Sequence, residues 1–600
     1  MLQNLICRQR VDKLIREQGD RAIKSYHRNK YSKIKTILIY IFLFIQLDSY
    51  AQDRYDVVID EIMADPTPAV GLPNSEWIEI KNTSTSIINL QGWRVGDASG
   101  QSGLMPPFQL LPDSFVIICS AGSLPAMSGF GMAIPVTSFP SLDNDGDKLF
   151  LKAANGKTIH AVNYQSSWYR NELKKEGGWS LEMINPLNPC TGQKNWNASD
   201  HTHGGSPGRK NSIDANNDDQ VGPNLLHAYT TDSLTIILVF DEPVDSLKGA
   251  MIANYTIDGG LNINGAVTLS PLFDQVRLKL QTSMQPGVTY NITVSTVTDC
   301  SNNAIANINK AKLGLPETAW PGDLVINEIL FDPKPNGFDY VEVYNNSDRI
   351  LDAANLYVAN RNSSGAISSM RSFSQDPFFI FPGEYLVITE NAARLALHYH
   401  VRYPDRVFEI TSMPSFPDDE GIVIVLNFRG DVLDEVAYHS NWHFKLLQDK
   451  EGISLEKIDA LMSSTDPENW HSAASTAGYG TPGYINSQFK KYTSSLATIE
   501  LIPAVFSPDN DGKDDVASIV YKTGSPGYIA NLVIFDAAGR PVRKLIRNAI
   551  LGTEGHWNWD GLDEKGNQLP LGVYVIFVEL FNLEGKVERF KNVVTLARKL

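Results

Sequence analysis

Along this chain apolar residues alternate with polar ones at period two, in short bursts, rather than recurring every three to four positions. Trp77, Ile78 and Ile80 surround Glu79, and Phe115-Val-Ile-Ile118 forms a short apolar run after Pro112. Leu234-Thr-Ile-Ile-Leu-Val-Phe240, Val276-Arg-Leu-Lys-Leu280, Tyr290-Asn-Ile-Thr-Val294 and Val573-Tyr-Val-Ile-Phe-Val578 continue the habit, and each reads as a strand. Leu149-Phe-Leu151, Asn155-Gly156 and Ile159 to Tyr164 predict a hairpin, because Asn-Gly supplies the positive φ that a tight turn needs. Arg429-Gly430 and Ala538-Gly539 mark two further turns. One short helix is expected over Ala392 to His400, where Leu395 and Tyr399 share a face. The pattern predicts an all-β chain.

The chain also repeats itself. Asp56-Val-Val-Ile-Asp-Glu-Ile62 with Asp65-Pro66 returns as Asp323-Leu-Val-Ile-Asn-Glu-Ile329 with Asp332-Pro333. Glu76-Trp-Ile-Glu-Ile-Lys-Asn82 returns as Asp339-Tyr-Val-Glu-Val-Tyr-Asn345, and Tyr164-Gln-Ser-Ser-Trp168 as Tyr438-His-Ser-Asn-Trp442. Gly178-Trp-Ser-Leu-Glu182 matches Gly452-Ile-Ser-Leu-Glu456, Asn195-Trp196 matches Asn469-Trp470, and Ser206-Pro-Gly208 and Thr481-Pro-Gly483 close the two copies. Asp60 stands in the first copy where the second has Asn327. Between the copies, residues 222 to 315 carry short strands at sandwich spacing, bounded by the polar loops Asp214 to Asp219 and Leu315 to Gly322. The last hundred residues are strand-rich again.

The paired signature Asn-Glu-Ile, Asp-Pro, acid-aromatic-hydrophobic-Glu, Asn-Trp and Thr-Pro-Gly resembles bacterial lamin-tail domains, over residues 56 to 212 and 323 to 487. The resemblance implies an Ig-like β-sandwich with a binding or structural role and no catalytic residues to carry over. Residues 222 to 315, with Phe240-Asp-Glu-Pro-Val244, Asn254-Tyr255 and Val297-Thr-Asp299, resemble bacterial Ig-like domains of surface-layer proteins. Phe506-Ser-Pro-Asp-Asn-Asp-Gly512, Ile534-Phe-Asp-Ala-Ala-Gly-Arg540, Trp559-Asp-Gly561 and Leu571-Gly-Val-Tyr574 resemble flagellar hook-capping Ig-like domains and the C-terminal sorting domains of type IX secretion. The longer Arg543-Lys-Leu-Ile-Arg-Asn548 segment departs from the usual sorting pattern. The expected organisation is four tandem Ig-like β-sandwiches: lamin-tail domain 1 over 52-215, an Ig-like domain over 220-315, lamin-tail domain 2 over 320-490, and a C-terminal Ig-like or sorting domain over 495-600.

Residues 1-51 read as a signal peptide with an extended, charged n-region. The basic Lys30 to Lys35 stretch precedes the apolar run Ile37 to Ile45, and Ser49-Tyr50-Ala51 offers small residues where a signal peptidase reads. An uncleaved anchor is the alternative, although so short a run spans a bilayer poorly. The whole chain has 52 Lys plus Arg against 68 Asp plus Glu, a net charge of −16; without residues 1-51 the charge becomes −22. That balance repels phosphate backbones and makes nucleic acid a poor partner. Even the basic group Arg540, Arg543, Lys544 and Arg547 sits in a segment that holds as many acids as bases.

Candidate chemistry is sparse. Three acidic loops have the spacing of calcium ligands: Asp143, Asp145 and Asp147; Asp214, Asn216 and Asp218; and Asp509, Asp511 and Asp515. None carries both the Gly and the Glu of an EF-hand, so a solvated Asx-rich turn competes with calcium at each. No cofactor is required. The acids Glu61, Glu79, Glu328 and Glu342 lie on expected strands, and the recurrence of Asp65 and Asp332 fits a polar anchor better than a general-acid pair. Trp77, Trp93, Trp168, Trp179, Trp196, Trp442, Trp470, Trp557 and Trp559 fit sandwich cores better than a carbohydrate platform. His201 and His203 lie close beyond Cys190 but lack clustered metal ligands. Cys119, Cys190 and Cys300 permit one of three bridges, with Cys190 to Cys300 favoured because both lie on expected loops.

These residues point to a secreted or outer-membrane-attached, non-enzymatic scaffold of a Gram-negative bacterium. Its expected partners are a surface or extracellular protein or glycan, and the secretion machinery through the C-terminal domain. An extracellular hydrolase with its site in lamin-tail loops is the alternative from another class, and a carbohydrate- or DNA-binding module is the third reading.

Overall fold

The structure, a computed structural model, describes residues 52-490 and 496-598. The expected signal peptide, with its apolar run and its Ser49-Tyr50-Ala51 site, lies outside the described residues, as does Lys599. Strand accounts for 39% and helix for 8%, so the all-β expectation holds. The chain divides into two compact units that part between Asn217 and Asp218.

The first unit is built on a six-stranded sheet in the spatial order Trp196–Ala198, Leu181–Met183, Val57–Met63, Trp77–Asn82, Phe115–Ser120 and Ala133–Val136. Its neighbours run antiparallel except the last pair. A second sheet of Arg94–Gly96, Gly146–Lys152 and Thr158–Gln165 contributes to the same core, where Ile59, Ile80, Trp93, Val116, Leu151 and Trp196 are buried. The expected hairpin is present: Asn155 Oδ1 accepts the Lys157 N–H at 2.9 Å and Gly156 takes φ +84°, which closes the turn without a Cβ clash.

The second unit contains three successive cores. Leu225–Asp232, Thr235–Phe240, Gln275–Leu280 and Ile263–Thr268 form one sheet, which shares the core of Leu238, Val276, Ile292 and Val294 with Tyr255–Ile257, Tyr290–Val294 and Lys310–Leu313. The next six-stranded sheet repeats the order of the first unit: Trp470–Ser472, Leu455–Lys457, Leu324–Leu330, Tyr340–Asn345, Tyr385–Thr389 and Val407–Glu409, again with the last pair parallel. Its partner sheet has Leu356–Arg361, Glu420–Asn427 and Val432–His439, with the additional edge strand Ile367–Ser372. At the C-terminal end, Thr498–Ile502, Ala517–Lys522 and Glu554–Trp559 form a small sheet. With the five-stranded sheet that includes Ile529–Asp536 and Gly572–Phe581, it encloses Phe506, Tyr521, Trp559 and Ile576.

The helix is shorter than expected, Ala392–His398. Asn391 caps it by accepting the Arg394 N–H at 2.8 Å. Tyr399 leaves it with extended backbone, and its hydroxyl donates to the Gly452 carbonyl at 2.9 Å. That buried bond, and the edge-to-face contact with Tyr340 at 5.7 Å, outweigh two more helical residues.

Candidate functional site

Each repeat region sets three glutamates side by side across its six-stranded sheet. In the first, Glu61 lies opposite both Glu182 and Glu79; in the second, Glu328 lies opposite both Glu456 and Glu342. All six are buried. Both central strands carry a bulge at the same place, between Ile59 and Glu61 and between Ile326 and Glu328. A bulge breaks the strict alternation of faces, which is how consecutive polar residues, Asp60 and Glu61 or Asn327 and Glu328, are both buried.

Such a row is costly, because like charges opposite one another destabilise a sheet and a buried carboxylate loses its water. Burial pushes Glu61, Glu79, Glu328 and Glu342 above the usual carboxylate range, and Glu456 up to about 8. The closing Ser206-Pro-Gly208 and Thr481-Pro-Gly483 segments supply the compensation. Ser206 N–H donates to Glu61 Oε1 at 2.8 Å, its hydroxyl to Glu182 Oε1 at 2.7 Å, and Gly208 N–H to Glu79 Oε2. Ser212 Oγ and the Ile213 N–H donate to Glu182 Oε2, and Ser180 Oγ donates to Glu61.

The second region repeats the arrangement. Thr481 N–H donates to Glu328 Oε1 at 2.9 Å, and Thr481 Oγ1 lies 3.0 Å from both Glu328 Oε2 and Glu456 Oε1. Gly483 N–H donates to Glu342, Ser487 Oγ and Gln488 N–H donate to Glu456, and Tyr340 and Ser454 donate to Glu328. Hydrogen bonds to charged groups contribute about 1.5–3 kcal/mol each, which reduces the cost without cancelling it, since the acids stay above the usual carboxylate range with these bonds in place. The motif chemistry follows. Proline has no N–H to leave unpaired over the acids, and glycine accepts the φ of +79° and +89° at Gly208 and Gly483, whose own N–H groups reach Glu79 and Glu342.

The recurring glutamates are therefore joined with the Ser/Thr-Pro-Gly segments in a buried clasp. The sequence pattern located each part without joining them, and it missed Asn211 and Asn486. Asn211 donates through Nδ2 to the Asp60 and Met183 carbonyls, and Asn486 to those of Asn327 and Lys457. Their signal was the Asn-Ser pair three residues after each Pro-Gly.

The backbone carbonyls of Asp65 and Asp332 accept the N–H groups of Gly178 at 2.8 Å and Gly452 at 2.7 Å. Beside Asp332, burial first and then Asp418, Glu390 and Asp332 push Asp339 up to about 7. Among the described residues two acidic triplets bring carboxylate oxygens within 4.8 Å of one another: Asp509, Asp511 and Asp515, and Asp219, Glu242 and Asp299, the latter not foreseen. Asp515 accepts the Asn510 and Gly512 N–H groups at 2.6 and 2.8 Å, which holds that loop closed. Asp143, Asp145 and Asp147 form no such triplet, and the Asp214 carboxylate pairs with Lys210 at 2.7 Å.

Trp77, Trp93, Trp196 and Trp559 are fully buried, while Trp320, which the sequence pattern did not single out, is 48% exposed. Arg540, Arg543 and Arg547 pair with Asp536, Asp560 and Glu564, which neutralises three of the four members of the basic group. The His201 and His203 rings meet edge to face at 5.2 Å. Cys119 is a free, buried thiol, pushed up to about 11 by burial. Among the described residues no helix is long and apolar enough to cross a membrane.

The fold and the clasp describe a chain of β-sandwich cores. The family model of the lamin tail domain matches residues 51–166. No curated protein matches the chain. Among solved structures, the S-layer protein SbsC is 11% identical over 63% of this chain and 54% of its own, with a TM-score of 0.15. The present chain thus spans about half the length of that protein. A DUF4876 family protein from Bacteroides thetaiotaomicron is 14% identical over 36% of this chain and 87% of its own, with a TM-score of 0.18. A tetra-tandem repeat in the extending region of a large adhesion protein is 12% identical over 90% of this chain and 99% of its own, with a TM-score of 0.13.

Proposed function

We propose that this protein is a secreted or cell-surface scaffold, assembled from two lamin-tail domains, an Ig-like domain and a C-terminal Ig-like or sorting domain, that mediates adhesion or protein interaction without catalysis. The observation that carries the reading is the fate of the recurring acids. Glu61, Glu79 and Glu182, like Glu328, Glu342 and Glu456, are buried and engaged by the closing segment, so the residues that recur most faithfully serve the fold. The domains proposed are 52-215, 220-315, 320-490 and 495-600, and the C-terminal one is proposed as the address for export across the outer membrane of a Gram-negative cell. The same reading joins Cys190 to Cys300, and thiol counting under denaturing, non-reducing conditions should find one free thiol after Gln52, Cys119.

Surface labelling of intact cells tests the scaffold and its export together. Full-length protein should be labelled, and a chain ending at residue 494 should stay folded in the periplasm; undiminished labelling of the truncation removes the sorting role. A hydrolase is the second reading, favoured by the burial that holds Asp332 and Asp339 above the usual carboxylate range in one loop cluster. Screening against glycoside, ester, phosphodiester and peptide substrates decides, since turnover lost on substitution of Asp65 or Asp332 would overturn the scaffold.

A further inference from the structure

The two clasps differ at one bulged residue. In the second region Asn327 Nδ2 donates to Glu342 Oε1 and to Asn486 Oδ1, each at 2.7 Å, and so satisfies both acceptors from one amide. In the first region the corresponding residue is Asp60, whose carboxylate offers only lone pairs when ionised. The buried atoms left without a partner there include Asp60 Oδ1 and Oδ2, Glu79 Oε1 and Asn211 Oδ1. These are the counterparts of the Asn327 amide and its two acceptors. Their backbone frame is otherwise conserved between the regions, since Asn211 and Asn486 hold matching carbonyls and Gly208 and Gly483 hold matching glutamates.

Buried carboxylate oxygens without a hydrogen-bond partner in a dry interior need a positive one. We propose that the first region holds a proton between Asp60 and Glu79 where the second has an amide hydrogen of Asn327, and that release of this proton to solvent as pH rises loosens the Ser206 to Ile213 segment. The 2.7 Å spacing around Asn327 fits a hydrogen between two heavy atoms. A calcium ion would need six or more oxygens, each at about 2.3–2.6 Å.

The other charges that act most strongly on Asp60 are Glu182, Asp214, Asp113 and the cation Lys81, and those on Glu79 are Glu61, Asp60 and Glu182. Lys81 is engaged with Asp113 at 2.9 Å and Asp214 with Lys210 at 2.7 Å, so the acids outnumber the cations around the latch. Burial, working against Lys81, raises Asp60 to about 7, and burial with Glu61 raises Glu79 well above its ordinary value. An acid raised on folding contributes stability that is complete below its unfolded value, near 4, and is lost as pH rises through its folded value.

Hydrogen–deuterium exchange of the full chain, read on segments 206-213 and 481-488 from pH 5 to pH 9, tests the latch. Relative to wild type, D60N should protect segment 206-213 increasingly, the ratio growing about 50-fold from pH 5 to pH 7 and then levelling. N327D should impose the opposite trend on segment 481-488, and it decides the matter alone if D60N does not fold. A ratio independent of pH in either variant, or loosening of segment 206-213 by D60N at every pH, overturns the proposal. So does a wild-type segment that EDTA loosens at pH 6 and calcium tightens at pH 8, because the partner would then be a metal ion.

Discussion

The two repeat regions solve one problem with different chemistry. Both bury a row of three glutamates and both tie a closing segment across it, yet the second surrounds its acids more completely. Glu328 is approached by Tyr340, Ser454 and both donors of Thr481, whereas Glu61 is approached by Ser180 and the Ser206 N–H, and its Oε2 has no partner. Tyr340 stands where the first region has Trp77, whose buried indole Nε1 is itself unpaired. A shared backbone plan thus tolerates unequal satisfaction of its polar groups, and the poorer copy depends on protonation where the richer one has hydrogen-bond donors.

The largest effect that separates the two is removal of the central acid. Glu328→Ala leaves four donor groups facing a cavity and should cost about 3–5 kcal/mol in the second region. Glu61→Ala strips fewer partners and relieves repulsion from Glu79 and Glu182, so about 1–3 kcal/mol is expected in the first. Urea unfolding of the full chain, followed by segment-resolved exchange to separate the regions, measures both. Equal losses would break the comparison.

The sequence carried the strands and the repeat but not the clasp, for a physical reason. Period two shows which residues line a face, so Trp77 to Asn82 and Tyr290 to Val294 were legible as strands. Register is set by which strand pairs with which, and only register brings Glu61 between Glu79 and Glu182, residues far apart in sequence. The one local hint was the adjacent polar pair Asp60-Glu61 inside an apolar strand, which two-fold alternation cannot accommodate without a bulge. The parallel edge strand Ala133–Val136 was invisible for another reason: it is short and contains Pro135, which suits an edge position and weakens any strand signal. The acidic triplet of Asp219, Glu242 and Asp299 was hidden because its members come from three separated loops.

Acid pH offers a second comparison. Each region holds a buried, neutral histidine of this kind: His160 Nδ1 accepts the Ile59 N–H at 2.9 Å, and His443 Nδ1 lies 3.0 Å from Ser472 Oγ. Burial lowers both to about 3. A depressed histidine contributes stability that is present above its unfolded value near 6.5 and is lost as pH falls towards its folded value, so each region should lose about 2–3 kcal/mol by pH 4.5 from this source. The carboxylate rows act in the opposite sense over that range, which makes the variant difference the useful quantity. His160→Asn keeps an acceptor for Ile59, and its stability deficit against wild type at pH 7 should shrink or reverse at pH 4.5; a deficit that stays constant would mean the histidine is not held neutral.

The smallest effect concerns the glycine of each closing motif, and it separates strain in the backbone from crowding around it. Gly208 and Gly483 share a positive φ, where an alanine costs about 1–2 kcal/mol whatever surrounds it. Their surroundings differ. A Cβ on Gly208 would lie 2.5 Å from the Phe130 carbonyl oxygen and 2.7 Å from the Gly131 Cα, both backbone atoms, while one on Gly483 would meet nothing closer than 3.6 Å. Gly483→Ala should therefore cost only the conformational term, whereas Gly208→Ala must also displace the Phe130-Gly131 backbone, at an added cost of about 1–2 kcal/mol. Because Gly208 N–H also donates to Glu79, that displacement should loosen the first clasp and raise exchange at the Gly208 amide, with no matching change at Gly483 in its own variant. Equal losses in the two alanine variants, measured in the same urea titration, would show that the first region yields at Phe130 without cost and that the two clasps differ in their acids alone.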